Sequence, residues 1–159
     1  MISGPDRESA LYRRTMSQEQ VPCLCPGSID LTTVPVISVI DDDESMRTAI
    51  YNLLRSLGYI VHMFPSAEAF LLSAQSHNTW CVIADVRMPG MSGIELQSRL
   101  RSGGSRVPFV FVTAVPEESV RARALEDGAI CFLTKPFDED SLIACLGNAL
   151  ARHIGGATN

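Results

Sequence analysis

The chain has 159 residues, enough for one domain with a sizeable core plus a tail. Hydrophobic residues make up 46% and charged residues 19%, the balance of an ordinary globular protein rather than a disordered or fibrous one. A formal net charge of -5 gives no electrostatic reason to expect nucleic acid or an anionic membrane as partner, and no apolar run approaches the roughly 18 residues of a membrane helix.

Residues 1–33 show no sustained periodicity and contain Gly4, Pro5, Pro22, Pro26 and Gly27, so they read as a mostly disordered tail. The opening MISGPDRESALYRRTMSQEQ carries charges throughout and has no signal-peptide apolar stretch, which predicts a cytoplasmic protein. Met16 is a second candidate start. Cys23-Leu24-Cys25 could suggest a metal site, but no further Cys or His cluster completes a tetrahedral set. Cys81, Cys131 and Cys145 sit among apolar neighbours and read as small buried thiols.

From Val36 onward the pattern changes. VISVI, CVIAD, FVFVT and ICFL are short apolar runs suited to strands buried on both faces of a parallel sheet, whereas YIVHM is more mixed and reads as a strand nearer the edge. After the first run, Met46, Ile50, Leu53, Leu54 and Leu57 recur at helical spacing as one buried stripe, and Gly58 suits the left-handed stop of that helix. Ser92 and Glu95 have capping-box spacing, placing a helix start just after Gly90-Met91. Leu142, Leu146, Ala149 and Leu150 mark a last amphipathic helix with Asp138 as N-cap, closed at His153 and Gly155-Gly156. Strand alternating with helix about five times predicts a doubly wound α/β sheet, with the domain over 34–153 and a flexible end over 154–159.

In such sheets ligands gather beyond the carboxyl ends of the strands. The first strand runs into Asp41-Asp42-Asp43-Glu44, the third into Asp85, the fourth ends at Thr113-Ala114 and the fifth at Thr134-Lys135-Pro136. Crowded carboxylates repel unless a cation intervenes, and hard oxygen ligands completed by water suit Mg²⁺. Acids, a divalent ion, an ammonium and a hydroxyl are what phosphoryl transfer requires, because charge on the moving group must be neutralised. One aspartate after a strand serves as a helix cap; three in a row exceed that need. Taken alone, Asp85 could be a turn residue, Thr113 a strand residue, Lys135 a solvated charge and Phe132 a core residue. His62, His77 and His153 lie far apart, outside these segments.

IDDDES, DVRMPGMSGIEL, VTA and LTKPF, in that order, resemble the motifs of the receiver domains of bacterial two-component response regulators, over roughly Val36 to Arg152. DVRMPGMSG is similar to the branch that includes nitrogen-fixation and nodulation regulators. The resemblance implies a flavodoxin-like α/β fold, a five-stranded parallel sheet of order 2-1-3-4-5. It implies Asp85 as phosphoacceptor, with Mg²⁺ held by Asp42 directly, by Asp41 through water, by Asp85 and by the backbone carbonyl of Arg87. It implies Thr113 and Lys135 as contacts of the phosphoryl group, Phe132 as the switch aromatic, and a cis bond before Pro136. A histidine kinase is the implied donor, and a downstream protein docking on the fourth-helix, fifth-strand and last-helix face is the implied target, with a phosphorylation-dependent dimer as a further option. In the family, the positions of Arg87 and Val115 govern attack of water on the acyl phosphate. Neither carries a carboxylate or carboxamide here, so Arg87 is expected to cover the phosphoryl group, Val115 to exclude solvent, and self-dephosphorylation to be slow.

Two other readings compete. Asp41-x-Asp43 mimics the opening motif of haloacid-dehalogenase-like phosphatases, although Asp138 and Asp140 come too late to supply the second acidic pair such enzymes use. The same fold could also serve as an interaction module that never accepts phosphate. No DNA-binding segment follows the last helix, so the sequence reads as a single-domain regulator or as a piece of a transcription factor.

Overall fold

The computed structural model describes residues 34–158, with side chains through Arg152. The tail over 1–33, Met16, Cys23-Leu24-Cys25 and the His153 side chain therefore lie outside the described residues. Five strands, β1 (Val36–Ile40), β2 (Ile60–Phe64), β3 (Cys81–Asp85), β4 (Phe109–Thr113) and β5 (Cys131–Thr134), form one sheet of order β2-β1-β3-β4-β5. Every neighbouring pair is parallel. Five helices connect and flank them: α1 (Glu44–Ser56), α2 (Ala67–Leu72), α3 (Gly93–Ser102), α4 (Glu118–Glu126) and α5 (Glu139–Thr158). A 3₁₀ segment, Ala74–Asn78, follows α2. This is the expected doubly wound architecture, and β2 lies at the edge that its mixed composition predicts.

The apolar runs work because both faces of the sheet are covered. Ile37, Val39, Cys81, Ile83, Val110 and Val112 face α1 and α5, packing with Ile50, Leu54, Leu142 and Leu146. The alternate positions Ile40, Val82, Ala84, Phe109 and Phe111 pack on the other side with Phe70, Ile94, Leu96 and Ala124 of α2, α3 and α4. Successive side chains of a strand point to opposite faces, so a strand sandwiched between helices must be apolar at every position. Ser38 is the polar exception on β1, and its hydroxyl is paired with Thr79 at 2.6 Å.

Three helix readings meet the structure differently. Asp43 caps α1 through its carboxylate, accepting from the Ser45 and Met46 amides, and Gly58 follows at φ +96°, where the missing Cβ removes the usual penalty. Leu57, expected on the buried stripe, is instead 45% exposed, because it is the C-cap residue and the chain turns away there. The Ser92–Glu95 capping box is present, and Asp138 accepts from the Ser141 amide at 2.6 Å as expected of a cap. The last helix runs on to Thr158, past the close read at His153 and Gly155-Gly156: glycine inside a helix costs about 1 kcal/mol and does not forbid it.

The cysteine reading needs a larger correction. Cys81 is the buried thiol anticipated, its ionisation pushed far up by burial. Cys131 and Cys145, also read as thiols, are joined by a disulfide between β5 and α5, with their Cα atoms 5.9 Å apart. Apolar neighbours cannot distinguish a buried thiol from half of a bridge; only the packing of α5 onto β5 does. Closing 14 residues of chain stabilises a fold chiefly by constraining the unfolded state. Reduction is therefore expected to lower unfolding stability by about 3 kcal/mol, read as a lower urea midpoint with reductant than without. Site-resolved alkylation should then label Cys131 and Cys145 only after reduction; equal labelling in both conditions would show two thiols.

Gly93 opens α3 with its amide donating to the Val86 carbonyl at 3.0 Å. A Cβ there would overlap the Asp85 carbonyl oxygen and press on the Phe111 ring at 3.1 Å. Gly93→Ala is expected to cost about 1–3 kcal/mol, measured by thermal or urea unfolding, since neither backbone nor ring can yield freely.

Candidate phosphoacceptor site

Parallel pairing in this register ends β1, β3, β4 and β5 on one edge of the sheet. Asp85 is aligned with Val112, and Thr113 with Thr134. Carboxylate oxygens of Asp41, Asp42 and Asp85 lie within 4.8 Å of one another. Asp41 and Asp85 are buried, while Asp42 is exposed at the rim. The Lys135 ammonium donates to Asp41 Oδ2 and Asp85 Oδ2, each at 3.1 Å. The Lys135–Pro136 bond is cis, as the LTKPF motif implied.

Local backbone geometry holds the acids in place. The Asp43 amide donates to Asp41 Oδ1 at 2.9 Å, and the Arg87 amide donates to Asp85 Oδ1 at 3.2 Å. Each buried carboxylate thus has one oxygen fixed by its own loop and the other by Lys135. Arg47, one turn into α1, donates to the Asp41 carbonyl at 2.6 Å and ties the acidic loop to its helix.

The acidic group carries a surplus of negative charge. Burial raises the Asp41 carboxyl above its ordinary range, and neighbouring Asp85 adds to this against the Asp43 amide and Lys135. For Lys135, burial disfavours the ammonium, but the hydrogen bonds to Asp85 and Asp41 outweigh it and hold the group above its ordinary value. Three carboxylates against one ammonium leave two negative charges. A divalent cation matches that surplus, and three hard oxygen donors with an open solvent side fit Mg²⁺.

The other expected residues are placed less uniformly. Thr113 is buried, but its hydroxyl lies 3.2 Å from both the amide and the carbonyl of Val115, engaged with its own loop. Phe132 is half-buried on β5, its ring 6.2 Å from that of Phe111. The Arg87 guanidinium forms an ion pair with Glu117 at the start of α4. Val115 is 52% exposed. Glu117 and Arg47 were missed in the sequence. A pair 30 residues apart has no periodic signature, and Arg47 meets a backbone carbonyl, which no side-chain pattern marks.

The phosphatase reading loses its acids. Asp43 is occupied as the cap of α1 and Asp138 as the cap of α5, and neither joins the acidic group.

The sequence profile described as the response regulator receiver domain matches residues 37–147. The chain is 35% identical to response regulator protein TodT of Pseudomonas putida over 136 residues, covering 80% of this chain and 60% of that protein. It is 36% identical to nodulation protein W of Bradyrhizobium diazoefficiens over 126 residues, 79% of this chain and 56% of that protein. The chain thus spans little more than half the length of these curated relatives. The solved response regulator StyR is 40% identical with a TM-score of 0.72, covering 79% of this chain and 63% of that one. With the acids, the lysine and the parallel sheet already in place, these matches assign the family: the chain belongs to the response regulator receiver domains, the phosphoacceptor modules of two-component signalling.

Proposed function

We propose that Asp85 is the residue phosphorylated, that a histidine kinase is the donor, and that residues 34–153 act as the receiver domain. Receiver domains of this family are signalling domains that bind Mg²⁺ at an acidic pocket and act on downstream effectors. The observation carrying the proposal is the Lys135 ammonium 3.1 Å from both Asp41 and Asp85, at the centre of an acidic group with an open side.

Asp41, Asp42, Asp85 and the backbone carbonyl of Arg87 would hold the metal. When bound, the ion would supply positive charge to offset that on the acceptor and phosphoryl oxygens. In the transfer, an Asp85 carboxylate oxygen attacks phosphorus, and the P–N bond to the kinase imidazole breaks. The electron pair stays with the imidazole nitrogen, which takes up a proton. Lys135 is paired with Asp85 beforehand and afterwards donates to a phosphoryl oxygen. The new group carries about -1.5 to -2 charge and offers acceptors that can draw the Thr113 hydroxyl away from Val115. Room vacated by Thr113 is then open to Phe132, which reshapes the face made by α4, β5 and α5 for a downstream protein or a second copy. No helix among the described residues is long and apolar enough to cross a membrane. A cytoplasmic site of action is part of this reading, and the net charge of -5 gives this segment no electrostatic pull toward nucleic acid or an anionic membrane.

Acetyl phosphate with Mg²⁺ is expected to add one phosphoryl group to the wild-type chain by intact mass and none to Asp85→Asn. Chelation should abolish the gain, and Lys135→Ala should slow it about tenfold or more. Absence of labelling in the wild type would leave a phosphate-independent interaction module. Self-dephosphorylation is expected to be slow, because neither Arg87 nor Val115 can orient a water molecule as a carboxylate or carboxamide does. Decay within seconds after donor removal, with no phosphatase present, would contradict this.

A further inference from the structure

The Arg87–Glu117 ion pair joins the two loops on either side of Asp85. Arg87 is two residues beyond Asp85, and its amide is hydrogen-bonded to that carboxylate. Glu117 is four residues beyond Thr113 and immediately precedes α4. Both side chains line a cavity of about 420 Å³ between the β3–α3 loop and α4. Their side chains are 56% and 45% exposed, so the pair is solvated and screened. Glu117 occupies the N-cap position of α4, yet its carboxylate makes no cap hydrogen bond because it is committed to Arg87.

We propose that Glu117 is a positioning residue for the phosphorylation of Asp85. Its carboxylate holds the Arg87 guanidinium aside in the resting protein and surrenders it to the phosphoryl group. The inference rests on Asp85 being the acceptor and names the group that controls access of Arg87 to it. Guanidinium binds carboxylate and phosphate through the same fork of donors, so the two anions compete for one cation. The contest is unequal. An exposed carboxylate pair shifts an equilibrium by a factor of about 1.4 to 5, whereas a phosphoryl group brings about twice the charge of a carboxylate. The released Glu117 carboxylate remains at the amide end of α4, where negative charge is favoured. Phosphorylation therefore trades a link between two loops for a contact within one, freeing the start of α4 from the β3–α3 loop. When acetyl phosphate is the donor, an Asp85 oxygen bonds to phosphorus, the bond from phosphorus to the bridging oxygen breaks, and acetate leaves with the electron pair. Arg87, once free, assists by neutralising the equatorial phosphoryl oxygens.

The test is a double-mutant cycle on the full chain with acetyl phosphate and Mg²⁺, following labelling and decay by intact mass. Glu117→Gln keeps the shape and removes the charge. It should label about two- to fivefold faster than wild type, and its phosphorylated form should persist longer by a similar factor. Arg87→Ala should label more slowly and decay faster, and adding Glu117→Gln to it should change neither rate by more than about 1.5-fold. A purely structural role for Glu117 would lower the melting temperature without this dependence on Arg87. The proposal is overturned if Glu117→Gln matches wild type in both rates, or if its effect is the same with and without Arg87. A wild-type chain that takes up no phosphoryl group would instead overturn Asp85 as acceptor, which keeps the two failures apart.

Discussion

The Lys135 ammonium stands between two buried carboxylates, Asp41 and Asp85, that would repel each other without it. Much of the architecture serves that one contact. The pair of acids comes from adjacent strands, β1 and β3, and the lysine from β5, two strands beyond β3. Parallel pairing throughout places all three strand ends on the same edge, and helices on both faces keep the sheet dry enough for the attraction to matter. A single ammonium does not satisfy three carboxylates. The remaining charge makes the site receptive to a divalent cation, and the exposed Asp42 leaves its outer side accessible to water and substrate.

The sheet was legible because each strand is a short apolar run closed by a polar residue, and because strands covered on both faces leave little ambiguity about their layer. Helices were legible in proportion to their amphipathicity and their caps. α1, α3 and α5 carry stripes or capping residues. The six-residue α2 and the 3₁₀ segment are too short to show a period, and α4 buries only Ala124 fully, so its ESVRARALE sequence has almost no apolar face to read.

The acidic group and its lysine could be found in the sequence because strand ends announce themselves: Asp41 and Asp85 each follow an apolar run directly, with Asp42 and Lys135 one residue further on. What the sequence hides is how residues on separate loops choose partners. Arg87 pairs with Glu117 across two loops, a partnership that no spacing marks. Thr113 was placed on the right edge, but which group its hydroxyl meets depends on the turn at Val115, a detail below the resolution of spacing. The disulfide was invisible for the same reason, since proximity of β5 and α5 is a tertiary fact.

That disulfide closes a covalent ring running from Cys131 through the end of β5, Lys135, Pro136 and the first turns of α5 to Cys145. The residue that anchors the acidic edge thus lies inside a loop whose ends cannot part. When the C-terminal helix frays, opening must first break the core packing of Leu150, Ala149 and Leu146, and past Cys145 it must carry the last strand with it. The ring therefore divides α5 into a segment held to the sheet by packing alone and one held to it covalently. A lysine tethered on such a short ring also has less conformational space to search on its way back to its carboxylates than one on an open chain.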